Sequence, residues 1–208
     1  MTNYRKVTFS LITAWFIVIL AANSLNVFST VPGRPPLALG LSVLTPIAVF
    51  ALWFRSSEPF RKFVLSLSPR TLTMVQCWRV VGFALPVLYA YGLLPGLFAL
   101  PAGWGDVAIG ATAALAAIRL ADPKHRSTFI VWQALGILDL VLANGLGASA
   151  SFIDPRGIPT SPMTVLPLSL IPTFLVPLLL ILHLICIAQA LRWPAQGHRV
   201  DEIAAAAV

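Results

Sequence analysis

The chain has 208 residues, 58% of them hydrophobic and only 10% charged, with a formal net charge of +7. Soluble domains average about 25% charged residues, so there is too little charge here to coat a water-exposed surface, and a bilayer is the solvent that removes the need. Nucleic-acid binding would require a clustered basic face, whereas these basic residues stand in short segments between apolar runs; no nucleic-acid partner is expected.

A spanning helix needs ~20 mostly apolar residues, and six stretches qualify: residues 7–28, 36–54, 71–93, 106–121, 127–147 and 166–191. The expected fold is an all-α transmembrane bundle, a single integral membrane domain over residues 1–208. The first stretch follows Tyr4-Arg5-Lys6 and resembles a secretory signal, but it runs on to Phe28 and more spans follow, so a retained helix is expected. The third is expected to break before Pro95, because a residue preceding proline avoids the α region. The fourth is short unless part of residues 100–105 joins it.

Between the second and third spans, residues 57–68 read as a separate helix. Ser57 can cap it, Pro59 suits its first turn and Pro69 ends it. Phe60, Phe63, Val64 and Leu67 follow i, i+3, i+4, i+7 spacing, which predicts a helix lying in the membrane interface. Its apolar face would enter the acyl boundary, with Arg61 and Lys62 near anionic headgroups. Residues 148–165, rich in proline, glycine and serine, read as an outer loop, and no internal repeat is visible.

Charge orients the bundle, since Lys and Arg are retained on the cytoplasmic side. With the N-terminus inside, the inner segments hold eleven of the fourteen basic residues: Arg5, Lys6, Arg55, Arg61, Lys62, Arg70, Arg119, Lys124, Arg126, Arg192 and Arg199. The outer connections hold only Arg34 and Arg156, and Arg79 falls inside the third span. Both termini are therefore expected in the cytoplasm.

Ionisable groups in hydrocarbon are costly and are functional candidates by default. Counted from the inner end of each span, Gln76 lies at ~8 Å, Gln133 at ~9 Å, Arg79 and His183 at ~12 Å and Asp139 at ~18 Å. Asp106 and Asn144 fall in the outer third. Gln76, Arg79, Gly82 and Pro86 share a face. Asp139 shares one with Trp132, Gly136 and Ala143, while Gln133 and Asn144 lie on another, so the fifth span is expected to be polar on two sides and central. Arg79 and Asp139 form the natural ion pair. It can serve as a packing pair or as a working pair for protons or anions; alternatively Arg79 snorkels and Asp139 carries its own proton.

His183 with Cys186 one turn on, and Cys77 at similar depth, makes a weak metal or haem candidate; His125 and His198 lie outside the spans. Two cysteines inside apolar runs argue against a disulfide framework and cannot close a zinc site alone. No cofactor is expected. Residues 100–106, Leu-Pro-Ala-Gly-Trp-Gly-Asp, read as a tight outer turn in which Asp106 caps the fourth span and Trp104 sits at the interface; a solute or lipid site beside Asp106 is the sharper alternative. Pro172 and Pro177 interrupt the sixth span, with Ser169 and Thr173 available to satisfy the freed carbonyls.

The run Gln76-x-x-Arg79-x-x-Gly82, then Leu94-Pro95, then residues 98–106 with their Pro-Ala-Gly-x-Gly-Asp core, resembles a group of uncharacterised bacterial inner-membrane proteins. Gly136-x-x-Asp139 and the proline-rich last span ending in His183 are similar to it too. The resemblance covers residues 76–189 and implies a small helical bundle in the bacterial cytoplasmic membrane, with no activity attached.

Three functions stay open. The first is a small transport or proton-handling protein using Arg79, Asp139 and His183. The second is an accessory subunit, as a homo-oligomer or in a membrane complex. The third is a membrane redox or metal protein. No hydrolase or metalloprotease pattern supports an enzyme.

Overall fold

The computed structural model describes residues 2–29 and 37–194; Arg34, His198 and Arg199 lie outside the described residues. Six helices are long and apolar enough to cross a bilayer: Tyr4–Ser24, Leu37–Ser56, Pro69–Ala90, Gly96–Leu120, Pro123–Ala150 and Ile171–Ala190. No strand occurs among the described residues. The chain is a multi-pass, all-α membrane protein. Odd spans start and even spans end at a common face where Tyr4 stacks on Phe63 and Phe129 on Trp193. Arg5, Lys62, Arg70, Arg119, Arg126 and Arg192 all fall there, at what is the basic end of the bundle.

The third span begins where Ser68 accepts from the Thr71 amide with Pro69 at the first helical position, both standard start signals. It runs as α-helix over Pro69–Val75, tightens to a 3₁₀-helix over Gln76–Phe83, and returns to α over Ala84–Ala90. Gly92, at φ +69°, stops it: Gly92 N–H bonds the Tyr89 carbonyl and Leu93 N–H bonds that of Leu88. That pair of reversed bonds needs a left-handed residue, which glycine adopts without cost.

The fourth span corrects the expected boundary. It starts at Gly96, with Pro95 extended at its N-cap, so residues 100–106 are helix, not a turn, and Asp106 caps nothing. The glycines there answer to packing. A Cβ at Gly103 would overlap the Pro86 ring, and one at Gly110 would press on the backbone at Val80.

The amphipathic helix spans Glu58–Leu65, capped by Ser57. Its apolar face meets protein and not lipid: Phe60 and Val64 are buried with Ile185, and Phe60 stacks on Trp53 at 3.8 Å. The carboxamide of Gln189 donates to the carbonyls of Val64, Leu65 and Leu67, tying the helix's end to the sixth span. Leu65 and Leu67 stand at and just past the helix end, where carbonyls lack an in-helix partner, while Val64 O also accepts from Leu67 N–H at 3.3 Å. Lys62 pairs with Glu58 at 2.8 Å on the exposed face.

The most enclosed span is the sixth, not the fifth: 56% of its apolar window is buried against 22%. The fifth turns a stripe of Val131, Leu135, Leu138, Val141 and Leu142 outward. Of its second polar face, Gln133 stays buried against the third and sixth spans, while Asn144 donates to Leu140 O in its own helix. In the sixth span the prolines produce a π-helical stretch over Ile171–Leu175, and the Thr173 hydroxyl donates to Ser169 O at 2.6 Å. In the outer connection, residues 161–164 form a 3₁₀ turn with Met163 and Thr164 buried, and the Leu166–Pro167 bond is cis.

Candidate functional site

The 3₁₀ stretch of the third span positions the site. At three residues per turn, side chains three apart lie in line, so Gln76, Arg79 and Gly82 form one row into the bundle, with Gln76 and Arg79 buried. Gly82 has no side chain because Asp106 fills that space. Arg79 is only 3% exposed.

Four spans converge on its guanidinium. Nε donates to Asp106 Oδ1 of the fourth span at 2.7 Å, and Nη2 donates to Asp139 Oδ2 of the fifth. Nη1 donates to the Gly136 carbonyl at 3.2 Å and lies 3.2 Å from His183 Nε2 of the sixth span. Glycines make these approaches possible: a Cβ at Gly105 would overlap Asp139 Oδ1, and one at Gly136 would overlap the His183 ring. The sequence pairing of Arg79 with Asp139 is present in the geometry. Asp106 joins it as a second carboxylate, ten residues inside its helix and near mid-span, not in an outer turn.

The hydrogen-bond directions follow from chemistry. A guanidinium only donates, so His183 Nε2 accepts from Arg79 and Nδ1 carries the ring hydrogen toward Gln133 Oε1. Gln133 Nε2 then donates to Thr73 Oγ1 at 3.0 Å. Thr73 Oγ1 is 3.8 Å from Cys186 Sγ, which donates to Pro69 O at 3.9 Å. Every donor points the same way, from Arg79 toward the basic end. The amide of Gln133 sits mid-chain and does not hand on protons as a hydroxyl or water does, so the chain orients His183 and is not a proton wire.

The other expected residues fall outside this network. Gln76 Nε2 reaches Leu179 O at 3.4 Å, a helix-to-helix contact. Trp104 is 54% exposed and meets Phe83 edge-on, on the lipid side of the fourth span. Asn144 is not brought to Asp106. Cys77 contacts Met74, apart from His183 and Cys186. Both His183 nitrogens are engaged by Arg79 and Gln133, leaving no lone pair for a metal or haem iron. No group of three or more His, Cys, Asp or Glu positioned for a metal occurs among the described residues.

Sequence reasoning missed Thr73 and Gln189, and a buried outer contact in which Asn23 donates to Thr173 Oγ1 at 3.2 Å. Thr73 had a signal, since it extends the Gln76, Arg79, Gly82 row by one further step of three. Gln189 and Asn23 had none, because their partners are remote backbone and a remote hydroxyl.

A bundle of six apolar helices with an arginine paired to two aspartates at mid-span defines the class: a polytopic membrane protein with an arginine–aspartate centre between its spans. Residues 35–191 match a domain of unknown function, DUF8737, and the chain belongs to that family. The match takes in every residue of the centre and omits the first span. Comparison with curated proteins and with solved structures gives no match.

Proposed function

We propose that the chain is a small transport protein that handles protons, seated in the bacterial cytoplasmic membrane with both termini inside, and that Arg79, Asp106, Asp139 and His183 are its working centre. The observation that carries this reading is one guanidinium held by two carboxylates from different spans at mid-membrane. Buried charge beyond a matched pair is costly inside a membrane, and intramembrane ionisable groups are functional candidates for that reason. The orientation rests on the basic residues at one end, which also offers Arg61 and Lys62 to anionic headgroups. Purified protein in sealed vesicles should show a pH-driven flux that Asp139→Asn abolishes; equal flux in the variant would end this reading.

A second reading, an accessory bundle held together by its polar residues, draws on the tight enclosure of the centre. Arg79 and His183 are 3% and 0% exposed, and a cavity of 190 Å³ lies away from them, at the basic end between Leu65, Pro69, Gln189 and Trp193. In that case Asp139→Asn combined with Arg79→Gln would weaken folding or association without a separable loss of flux.

A further inference from the structure

We infer that the centre's ligand is a single proton per chain, shared between Asp106 and Asp139 and bound while Arg79 stays paired with both. This deepens the transport reading and rests on it for its use to the cell.

The inference comes from counting charge. Arg79 contributes one positive charge and the two aspartates two negative ones. His183 contributes none, because its Nε2 accepts from Arg79. The charged and titratable groups facing the centre are therefore Arg79 on the third span, Asp106 on the fourth, Asp139 on the fifth and His183 on the sixth. The first and second spans bring none, their charged residues Arg5, Lys6 and Arg55 lying at the basic end. With both carboxylates ionised the centre would hold an uncompensated negative charge in a setting where the Arg79 side chain is 1% exposed. One bound proton cancels it.

Geometry favours a proton over a metal cation. Arg79 already bridges the two carboxylates through Nε and Nη2, so a cation placed between them would sit against a like charge. Each aspartate spends one oxygen on Arg79 and keeps the other, Asp106 Oδ2 beside Gly82 and Asp139 Oδ1 beside Gly105. Protonation forms an O–H bond on one of these free oxygens without breaking either contact to Arg79. Release breaks that O–H bond and hands the proton to a water molecule on the aspartate side of the centre, since both aspartate side chains are 16% exposed while Arg79 and His183 are sealed. Two carboxylates sharing one site and one proton titrate as a unit.

The test is infrared spectroscopy of the full chain in phosphatidylethanolamine–phosphatidylglycerol vesicles at neutral pH, in H₂O and D₂O, reading the carbonyl band of protonated carboxylic acids. The wild type should show one such acid per chain. Asp106→Asn and Asp139→Asn should each abolish it, because the remaining carboxylate is then matched by Arg79. Arg79→Gln should raise it to two. No acid band in the wild type would overturn the inference, as would a band that survives both asparagine variants. A ²³Na resonance titration showing sodium binding lost in Asp139→Asn would replace the proton by a metal ion. The wild-type band alone decides the main point should a variant fail to fold. A band without any pH-driven flux would keep the proton site and end the transport reading.

Discussion

The first two spans and the last four solve the same problem with different chemistry. Spans one and two carry charge only at their ends and turn Phe9, Val18, Leu41 and Leu52 outward at 63–74% exposure. The second buries no residue fully. In the last four spans the interior holds Arg79, Asp106, Asp139, His183, Gln133 and Thr73, joined by directed hydrogen bonds. Apolar helices gain little from each other in lipid, which is as apolar as leucine, so association depends on close packing and polar contacts. The first two spans are therefore held by aromatic and aliphatic contacts, such as Trp15 and Phe16 on Phe174 and Val43 and Ile47 on the sixth span, with the Asn23–Thr173 bond as their polar tie. The inner four have a geometry that tolerates little change.

Substitutions sharpen this contrast. Arg79→Gln leaves two part-buried carboxyl groups without their cation, each then taking up a proton, and should cost up to about 3–5 kcal/mol, read as a large drop in thermal unfolding temperature in detergent. Gly105→Ala pushes a methyl into Asp139 and should cost about 1–3 kcal/mol through overpacking, with a smaller drop in the same assay. Gln189→Leu removes the side-chain donor from the carbonyls of Leu65 and Leu67, a loss of about 1–3 kcal/mol if they stay buried; faster amide exchange confined to residues 58–67 would mark it. Val18→Ala, 64% exposed on the first span, should stay within about 0.5 kcal/mol of wild type. Should Val18→Ala destabilise the protein as much as Gly105→Ala, the division between outer and inner spans would not stand. Orientation has its own check: cysteines at Leu93 and Asp122 should label from opposite sides of the membrane, Asp122 from the cytoplasm.

The sequence made the six spans and the Arg79–Asp139 pairing legible, because hydropathy and side-chain charge are local properties that lipid filters strongly. Asp106 was seen but misplaced. Glycine and aspartate after proline spell a capped turn in isolation, and only the neighbouring Pro86 and Asp139 reveal that the glycines are clearances inside a helix. The amphipathic helix had the right period, yet periodicity cannot tell lipid from a protein partner, and the deciding group, Gln189, lies more than a hundred residues away. The two polar sides of the fifth span are carried by Asp139 and Gln133, whereas Asn144, expected beside Gln133, bonds Leu140 in its own helix. Likewise, the grouping of Cys77 with His183 rested on depth alone; azimuth separates them.

The 3₁₀ winding of residues Gln76–Phe83 gives the third span a reserve of length. At about 2.0 Å per residue against 1.5 Å for an α-helix, those eight residues would shorten by about 4 Å on rewinding. The same change in pitch would rotate Gly82 by about 120° relative to Gln76 and carry it off Asp106. Arg79 sits in the middle of this segment, and its ion pairs to the fourth and fifth spans tie the tighter winding to the rest of the bundle.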